Sequence, residues 1–167
     1  MDQVVTVTSN QWLATLGQQA STVGVLMTSF VVGIAVGVER GISTSTVGIR
    51  TCTLVALASA AFADLVVRRV PDVQWGTAFG AVATGVGFLG AGAIIKDQGR
   101  RSTQGLGEAG TIWCVAIIGL LIGAREVVAG FLVTALVLTV NLLLRPLATW
   151  IDRHRAQRKP GDDVLNG

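Results

Sequence analysis

Long apolar segments alternate with short polar ones along this chain. No charged residue occurs from Gln3 to Val38 or from Val73 to Ile95. A membrane-spanning helix requires about 20 mainly apolar residues. Five segments meet that requirement, and they run approximately over Thr22–Val38, Thr51–Val67, Val73–Ile95, Glu108–Ala124 and Val127–Leu144, with an extension of the last to Ile151 left open by Pro146.

The apolar runs are continuous, whereas a membrane β-barrel requires strands of about ten residues with alternating hydrophobicity. Backbone polar groups in lipid must be satisfied internally. The pattern therefore predicts an all-α polytopic bundle of about five transmembrane helices. The short stretch from Gly123 to Glu126 predicts that the last two helices form an antiparallel hairpin. We expect an outer N-terminal segment over 1–20, a transmembrane domain over 21–151 and a short cytoplasmic tail over 152–167.

Composition and charge support a membrane protein and predict its orientation. Hydrophobic residues make up 51% of the chain and charged residues 14%, against about 25% charged in soluble domains. Most soluble enzymes are thereby excluded. Ten of the 13 Lys and Arg residues fall on the side that holds the C-terminus. Because Lys and Arg are enriched in cytoplasmic loops, the N-terminus is predicted outside and the C-terminus in the cytoplasm.

Glycine pairs with GxxxG spacing occur at Gly33/Gly37, Gly76/Gly80 and Gly119/Gly123. Small residues allow membrane helices to pack closely. The third segment is the richest in glycine, so we predict that its helix is the most buried one. The spacing leaves open whether some pairs contact a second copy of the chain. The GxGxxG match from Gly85 to Gly90 lacks the strand–turn–helix context of a dinucleotide site.

Ionisable and amide side chains gather near the predicted cytoplasmic end, where they are candidates for a polar cavity. These candidates are Glu39, Arg50, Asp97, Glu108, Asn141 and Arg145.

Several of these candidates also have a structural interpretation. Glu39 and Arg50 both oppose their helix dipoles, so an ion pair across the loop would stabilise both. Glu108 either favours a helix start or faces the bundle as a cation or proton ligand. Asn141 either bonds another helix or contributes to the cavity. Asp64 and Arg68 are predicted to form a structural i,i+4 pair.

Nothing in the sequence indicates an enzyme. Cys52 and Cys114 lie 62 residues apart in apolar runs, and the single histidine, His154, lies in the polar tail. We therefore expect no catalytic residues, no cofactor and no nucleic-acid partner. For a magnesium ion, Glu108 is the candidate ligand.

Five short blocks occur in an order that resembles the MgtC/SapB family of bacterial inner-membrane proteins. The blocks lie between about residues 30 and 147 and begin at Gly37, Gly48, Gly85, Thr111 and Asn141, with the pair Gly105-Leu106 before the fourth. The family-matched positions are Gly85, Gly87, Gly90, Gly92, Thr111, Trp113 and Cys114.

The resemblance implies a multi-pass protein of the bacterial inner membrane, linked to adaptation to low magnesium and to survival inside host cells. It implies regulation of other membrane proteins through helix contacts. The alternative is a magnesium or proton transporter or channel with an inner-facing polar cavity. Two departures from the family are the acid in Gly107-Glu108, where members usually carry a small polar pair, and the short tail, where many members have a further domain.

Overall fold

The computed structural model describes residues 2–42, 47–96 and 103–144. It contains five long α-helices, which are α1 (Asp2–Ile42), α2 (Ile49–Arg69), α3 (Trp75–Ala93), α4 (Leu106–Gly123) and α5 (Val127–Thr139). With the short helical elements that adjoin α3 and α5 included, the five spans Trp12–Ile42, Ile49–Arg69, Asp72–Ala93, Leu106–Gly123 and Val127–Leu144 are long and apolar enough to cross a membrane. The predicted all-α membrane bundle is therefore confirmed.

Short elements connect and extend these helices. A 3-10 turn at Asp72–Gln74 precedes α3, and a π-helix at Val140–Leu144 continues α5. Two strands of two residues, β1 (Ile95–Lys96) and β2 (Thr103–Gln104), form an antiparallel ladder between α3 and α4.

The helix boundaries follow local chemistry. Helix α2 ends before Pro71, and Val70 at its C-cap is extended, as expected for a residue that precedes proline. Helix α1 runs without a break through the segment that the sequence predicted as separate. At 1.5 Å per residue its 41 residues measure about 60 Å, twice the hydrocarbon thickness. The orientation and the domain boundaries stay predictions, and residues 145–167 lie outside the described residues.

The centre of the bundle is formed by α2 and α4, so the prediction that α3 is the most buried helix is wrong. In the most apolar stretch of α2 and of α4, 50% of the residues are buried, whereas the corresponding fraction for α3 is 11%. A Cβ added at Gly123 would lie 2.6 Å from Cβ of Ala63, and one at Gly33 would lie 2.8 Å from Cα of Thr53. Helices α4 and α1 thus approach α2 almost to backbone contact.

The physical reason lies on α2. This helix presents a row of small buried residues, among them Cys52, Ala56, Ser59, Ala60 and Ala63, and it can therefore accept a glycine helix on more than one side. Of the glycines in α3, only Gly90 has a neighbour within 4 Å of an added Cβ, namely Ala109 of α4. Glycine content alone misplaced the centre, because close packing also needs small residues on the facing helix.

The α4–α5 hairpin is confirmed. Arg125 lies between the two helices with a φ of 72°, a left-handed conformation that is uncommon for residues other than glycine. The turn is closed by backbone N–H groups that donate to carbonyls of the last α4 turn: Ala124 to Leu120, Arg125 to Ile122 and Glu126 to Leu121.

Candidate functional site

A buried ion pair closes the end of the bundle at which α1 finishes, which we call the Glu39 end. Glu39 is 8% exposed and Arg40 is 7% exposed. Nε and Nη2 of Arg40 donate to Oε2 and Oε1 of Glu39, each over 2.8 Å. Nδ2 of Asn141 donates to Oε2 of the same carboxylate over 3.0 Å. We call Glu39, Arg40 and Asn141 the Glu39 cluster.

Packing of α1 against α2 buries this cluster. A Cβ added at Gly37 would lie 2.6 Å from Cα of Ile49, so the two backbones meet two residues before Glu39. Val36 and Cys52 are fully buried beneath the ion pair, in the core cluster that also holds Ile112 of α4. A charge at this depth is stable only when it is paired, and the bidentate geometry is the strongest form of such a pair.

Arg40 also interacts electrostatically with Glu108. Glu108 lies in the first turn of α4 and is half-buried. Arg40 therefore has two acids from different helices in its electrostatic environment, and Glu39 is the one that it hydrogen-bonds. The hydrogen bond from Asn141 connects α1 to the C-terminal end of α5. Glu108 accordingly combines a helix-start position with a role as a counter-charge.

Arg40 is the functional candidate that sequence reasoning missed. The sequence predicted a Glu39–Arg50 pair because each residue opposes its helix dipole, and sequential neighbours do not ordinarily face each other on a helix. The signal was the direct adjacency of an acid and a base at a helix end. A long Arg side chain can fold back onto its neighbour when burial disfavours leaving either charge alone.

The predicted Glu39–Arg50 ion pair is not formed. Arg50 is exposed, and it takes part in no ion pair within the described ranges. Of the six cavity candidates, the structure joins Glu39 and Asn141 by a hydrogen bond, and Glu108 interacts electrostatically with Arg40 beside them. Asp97 and Arg145 lie outside the described residues.

A groove of about 360 Å³ between α4 and α5 leads to Asn141. Thr111 and Cys114 line it on α4, and Val133 and Val137 line it on α5. The Thr111 hydroxyl donates to the Gly107 carbonyl over 2.9 Å, so the groove wall is largely apolar. Asn141 belongs to the π-helix, an element that often occurs at functional sites. Its amide connects the groove to the Glu39 cluster.

The other family-matched positions lie elsewhere. Trp113 is 41% exposed. Gly85, Gly87 and Gly92 have open space where a Cβ would stand, and Gly90 faces Ala109. Gly85 and Gly92 are thus exposed on α3, Gly87 is half-buried and Gly90 is buried against α4, and none of them belongs to the polar cluster.

A second charged cluster lies at the opposite end of the bundle, around Asp64. This residue is 1% exposed, and its carboxylate pairs with Arg68 and with Arg125, each over 2.5 Å. Thr22 of α1 donates to the same carboxylate over 3.1 Å, and Arg125 donates to the carbonyl and hydroxyl of Ser21. The predicted Asp64–Arg68 pair is confirmed. The contact with Arg125 was missed because 61 residues separate the two in sequence.

Within residues 2–42, 47–96 and 103–144, no three His, Cys, Asp or Glu side chains lie together in a way that could hold a metal ion. Glu108 is the acid for which the sequence left open a role as a cation ligand. Its observed environment is the first turn of α4 near Arg40.

Comparison with known proteins gives consistent matches. The model of the MgtC family matches residues 26–150. Protein MgtC of Brucella abortus (strain 2308) is 34% identical over 139 residues, which are 83% of this chain and 58% of that protein. Protein MgtC of Salmonella typhimurium (strain 14028s) is 34% identical over 128 residues, 77% of this chain and 54% of that protein. An uncharacterized protein of Synechocystis is 35% identical over 127 residues, 76% of this chain and 53% of that protein.

The chain spans a little over half the length of these relatives. No solved structure gives a significant match. The family model covers most of the chain, from the middle of α1 through all four other helices. On this evidence the chain belongs to the MgtC family, and its five apolar helices make it a multi-pass membrane protein.

Proposed function

We propose that this chain is a non-enzymatic protein of the bacterial inner membrane that regulates other membrane proteins through helix contacts. The observation that carries the proposal is the composition of the exposed side of α3. We call this surface the α3 small-residue face. It consists of Gly76, Thr77, Gly80, Ala81, Thr84, Ala91 and Gly92, with Phe88 as a large side chain on it.

The exposed surface of α5 provides the comparison. Most of its exposed residues are large and apolar, such as Phe131, Leu132 and Leu136, as expected for a surface that contacts lipid. Small residues instead allow a second helix to approach closely. The contrast between the two helices supports a protein partner for α3 and lipid for α5.

The attachment of α3 to the bundle also fits a partner-binding role. The Glu39 cluster and the Asp64 cluster connect α1, α2, α4 and α5, and neither takes a contact from α3 within the described ranges. Helix α3 packs mainly on α4. It is therefore the helix whose position a partner can change at the lowest cost to the rest of the bundle.

The link to low magnesium and to survival inside host cells rests on family membership. Two of the relatives carry the name MgtC. We carry this link to the present chain as part of the proposal.

A transporter or channel for magnesium or protons is the second candidate. The α4–α5 groove favours it, because Asn141 lines the groove and its amide donates to the Glu39 carboxylate. An ion that used this route would have to compete with Arg40 for the Glu39 carboxylate. The ion pair would then open during transport.

Two measurements separate the candidates. Liposomes that contain the purified protein are assayed for magnesium and proton flux, and growth in low magnesium is measured in a strain that depends on the protein. A regulator gives no flux, and Gly80→Leu and Thr84→Leu abolish growth while the protein stays folded. The control is Leu132→Ala on α5, which should support growth. Flux that is lost in Glu39→Gln, together with normal growth of both α3 variants, would overturn the proposal.

A further inference from the structure

A groove on the outside of the bundle, between α1 and α2, is complementary in shape and charge to an anionic amphiphile. Its volume is about 390 Å³. The lining is apolar except at one end, and consists of Phe30, Ile34, Ile49, Arg50, Thr53, Leu54 and Leu57. The groove does not overlap with the Glu39 cluster, the Asp64 cluster or the α4–α5 groove.

Close packing of two helices creates this groove. Gly33 and Gly37 bring α1 against α2 at Thr53 and Ile49, so the larger side chains on either side of the contact form two walls. Residues 50, 53, 54 and 57 follow helical spacing on α2, and Phe30 and Ile34 follow it on α1. From Arg50 to Leu57 the groove extends about 10 Å along α2, which is about two thirds of the hydrocarbon depth of one leaflet.

Arg50 provides the charge at the end of the groove. The guanidinium of Arg40 is neutralised by Glu39 in the interior. Arg50 is exposed and forms no ion pair in the part of the chain that the structure describes. The N-cap of α2 is Gly48, which has no side chain to accept from the first N–H groups of the helix. Positive charge at the end of an apolar groove is complementary to an anionic headgroup on an acyl chain.

We propose that the α1–α2 groove is a binding site for an anionic phospholipid, with one acyl chain between Phe30 and Leu57 and the phosphate on Arg50. The acyl chain occupies the groove beside the close α1–α2 contact that Gly33 and Gly37 form. This inference stands apart from the proposed regulatory function, since that function uses α3 on another part of the molecule.

The test uses purified protein in mixed micelles with two photoreactive lipids that carry a diazirine in the acyl chain. One has a phosphatidylglycerol headgroup and the other a phosphatidylcholine headgroup, and labelled peptides are mapped by mass spectrometry. We expect the phosphatidylglycerol probe to label the segments around Phe30 and Leu54 about fivefold more than the phosphatidylcholine probe. Excess glycerol phosphate should not compete, because the acyl chain contributes to binding.

Variants at the surface separate the headgroup contact from general contact with lipid. Arg50→Gln should reduce phosphatidylglycerol labelling to the phosphatidylcholine level, and Arg50→Lys should keep most of the preference. The matched control is Arg69→Gln at the other end of α2, which should leave labelling of the groove unchanged. Equal labelling by both probes in the unmodified protein, or an undiminished preference in Arg50→Gln, would show ordinary lipid contact and overturn the proposal. Absence of labelling by both probes in the groove would indicate another occupant and would equally overturn it.

Discussion

Asn141 and Glu39, which lie 102 residues apart, are joined by a hydrogen bond of 3.0 Å from Nδ2 to Oε2. The bond connects the π-helix after α5 to the end of α1. Its acceptor is a carboxylate that also pairs with Arg40. The Asn141 side chain thereby attaches the last helical turn of the bundle to the buried Glu39–Arg40 pair.

Replacing Asn141 by leucine should destabilise the protein by about 1.5–3 kcal/mol, the range for a hydrogen bond to a charged group. The free energy of unfolding is measured by denaturant titration in detergent. The control is Thr139→Val, which removes a hydroxyl that bonds only to Ala135 of its own helix. Equal losses in the two variants would mean that the contact with Glu39 adds no stability.

The Glu39–Arg40 pair should behave non-additively. Glu39→Ala and Arg40→Ala each leave a buried charge without its main partner, at a cost of about 3 kcal/mol or more. The double variant should therefore be far less destabilised than the sum of the two. A double-mutant cycle in the same unfolding assay measures the coupling.

Arg50 provides the comparison for that cycle. Because Arg50 is exposed and makes no ion pair with Glu39 in the structure, Glu39→Ala and Arg50→Ala should be additive. Strong coupling of Glu39 to Arg50, with none to Arg40, would restore the pairing that the sequence suggested and contradict the structure.

Gly105 sets the start of α4 and so the position of Glu108. Its φ is 89°, and an added Cβ would lie 3.2 Å from Cα of Ile94 and closer still to the carbonyl of Ala93. Gly105→Ala should cost at least about 1–3 kcal/mol for the left-handed backbone, and the clash with the Ala93 carbonyl adds to that.

Gly107, two residues further on, is the matched control for Gly105. It is helical and has open space for a Cβ, so Gly107→Ala should be neutral or stabilise the protein by up to about 1 kcal/mol. Thermal unfolding in detergent compares the two variants. Similar stability of both would mean that the left-handed conformation at Gly105 is not required.

The effect of replacing Arg125 on stability should depend on whether residue 64 is an aspartate. Arg125→Gly removes the ion pair with Asp64 but relieves a left-handed conformation that costs about 1 kcal/mol. In the unmodified protein the loss of the ion pair should dominate, because it leaves a carboxylate that is 1% exposed with fewer partners.

In an Asp64→Asn background the same Arg125→Gly change should be close to neutral or stabilising. The free energies of unfolding of the four proteins give the answer. An identical loss in both backgrounds would show that Arg125 acts independently of Asp64.

The sequence predicted the elements of this fold better than their arrangement. Continuous apolar runs indicated all five helices, and the Gly123–Glu126 stretch indicated the hairpin, because these signals are local. The central position of α2 could not be predicted from glycine spacing, since it depends on Ala56, Ala60 and Ala63 facing two other helices.

In the candidate site, too, the sequence predicted individual residues but not the contacts between them. Glu39 and Asn141 were recognised as polar residues in apolar surroundings, but their mutual contact spans 102 residues. Arg40 was missed because burial, which only the tertiary structure reveals, turned a helix neighbour into an ion-pair partner. Arg125 was missed because its conformation and its contact with Asp64 depend on the α4–α5 turn.

Glu108 distinguishes a regulator from an ion-binding protein. It lies in the first turn of α4, where an acid is favourable by about 0.3–1 kcal/mol, and it interacts with Arg40. If its role is structural, Glu108→Gln should cost less than about 1 kcal/mol, since the residue is only half-buried and solvent screens its charge. Growth in low magnesium should then be retained.

The decisive comparison uses Glu108→Gln, Glu108→Thr and Asp72→Asn in the growth assay, with folding of each variant checked in detergent. Threonine restores the small polar type that the family usually carries there, and Asp72 is an exposed acid at the start of the turn before α3. We expect all three to support growth, because Arg40 keeps its bidentate partner Glu39 in each of them. Loss of growth in folded Glu108→Gln alone would mean that the carboxylate binds a cation or proton, and it would favour the transporter over the regulator.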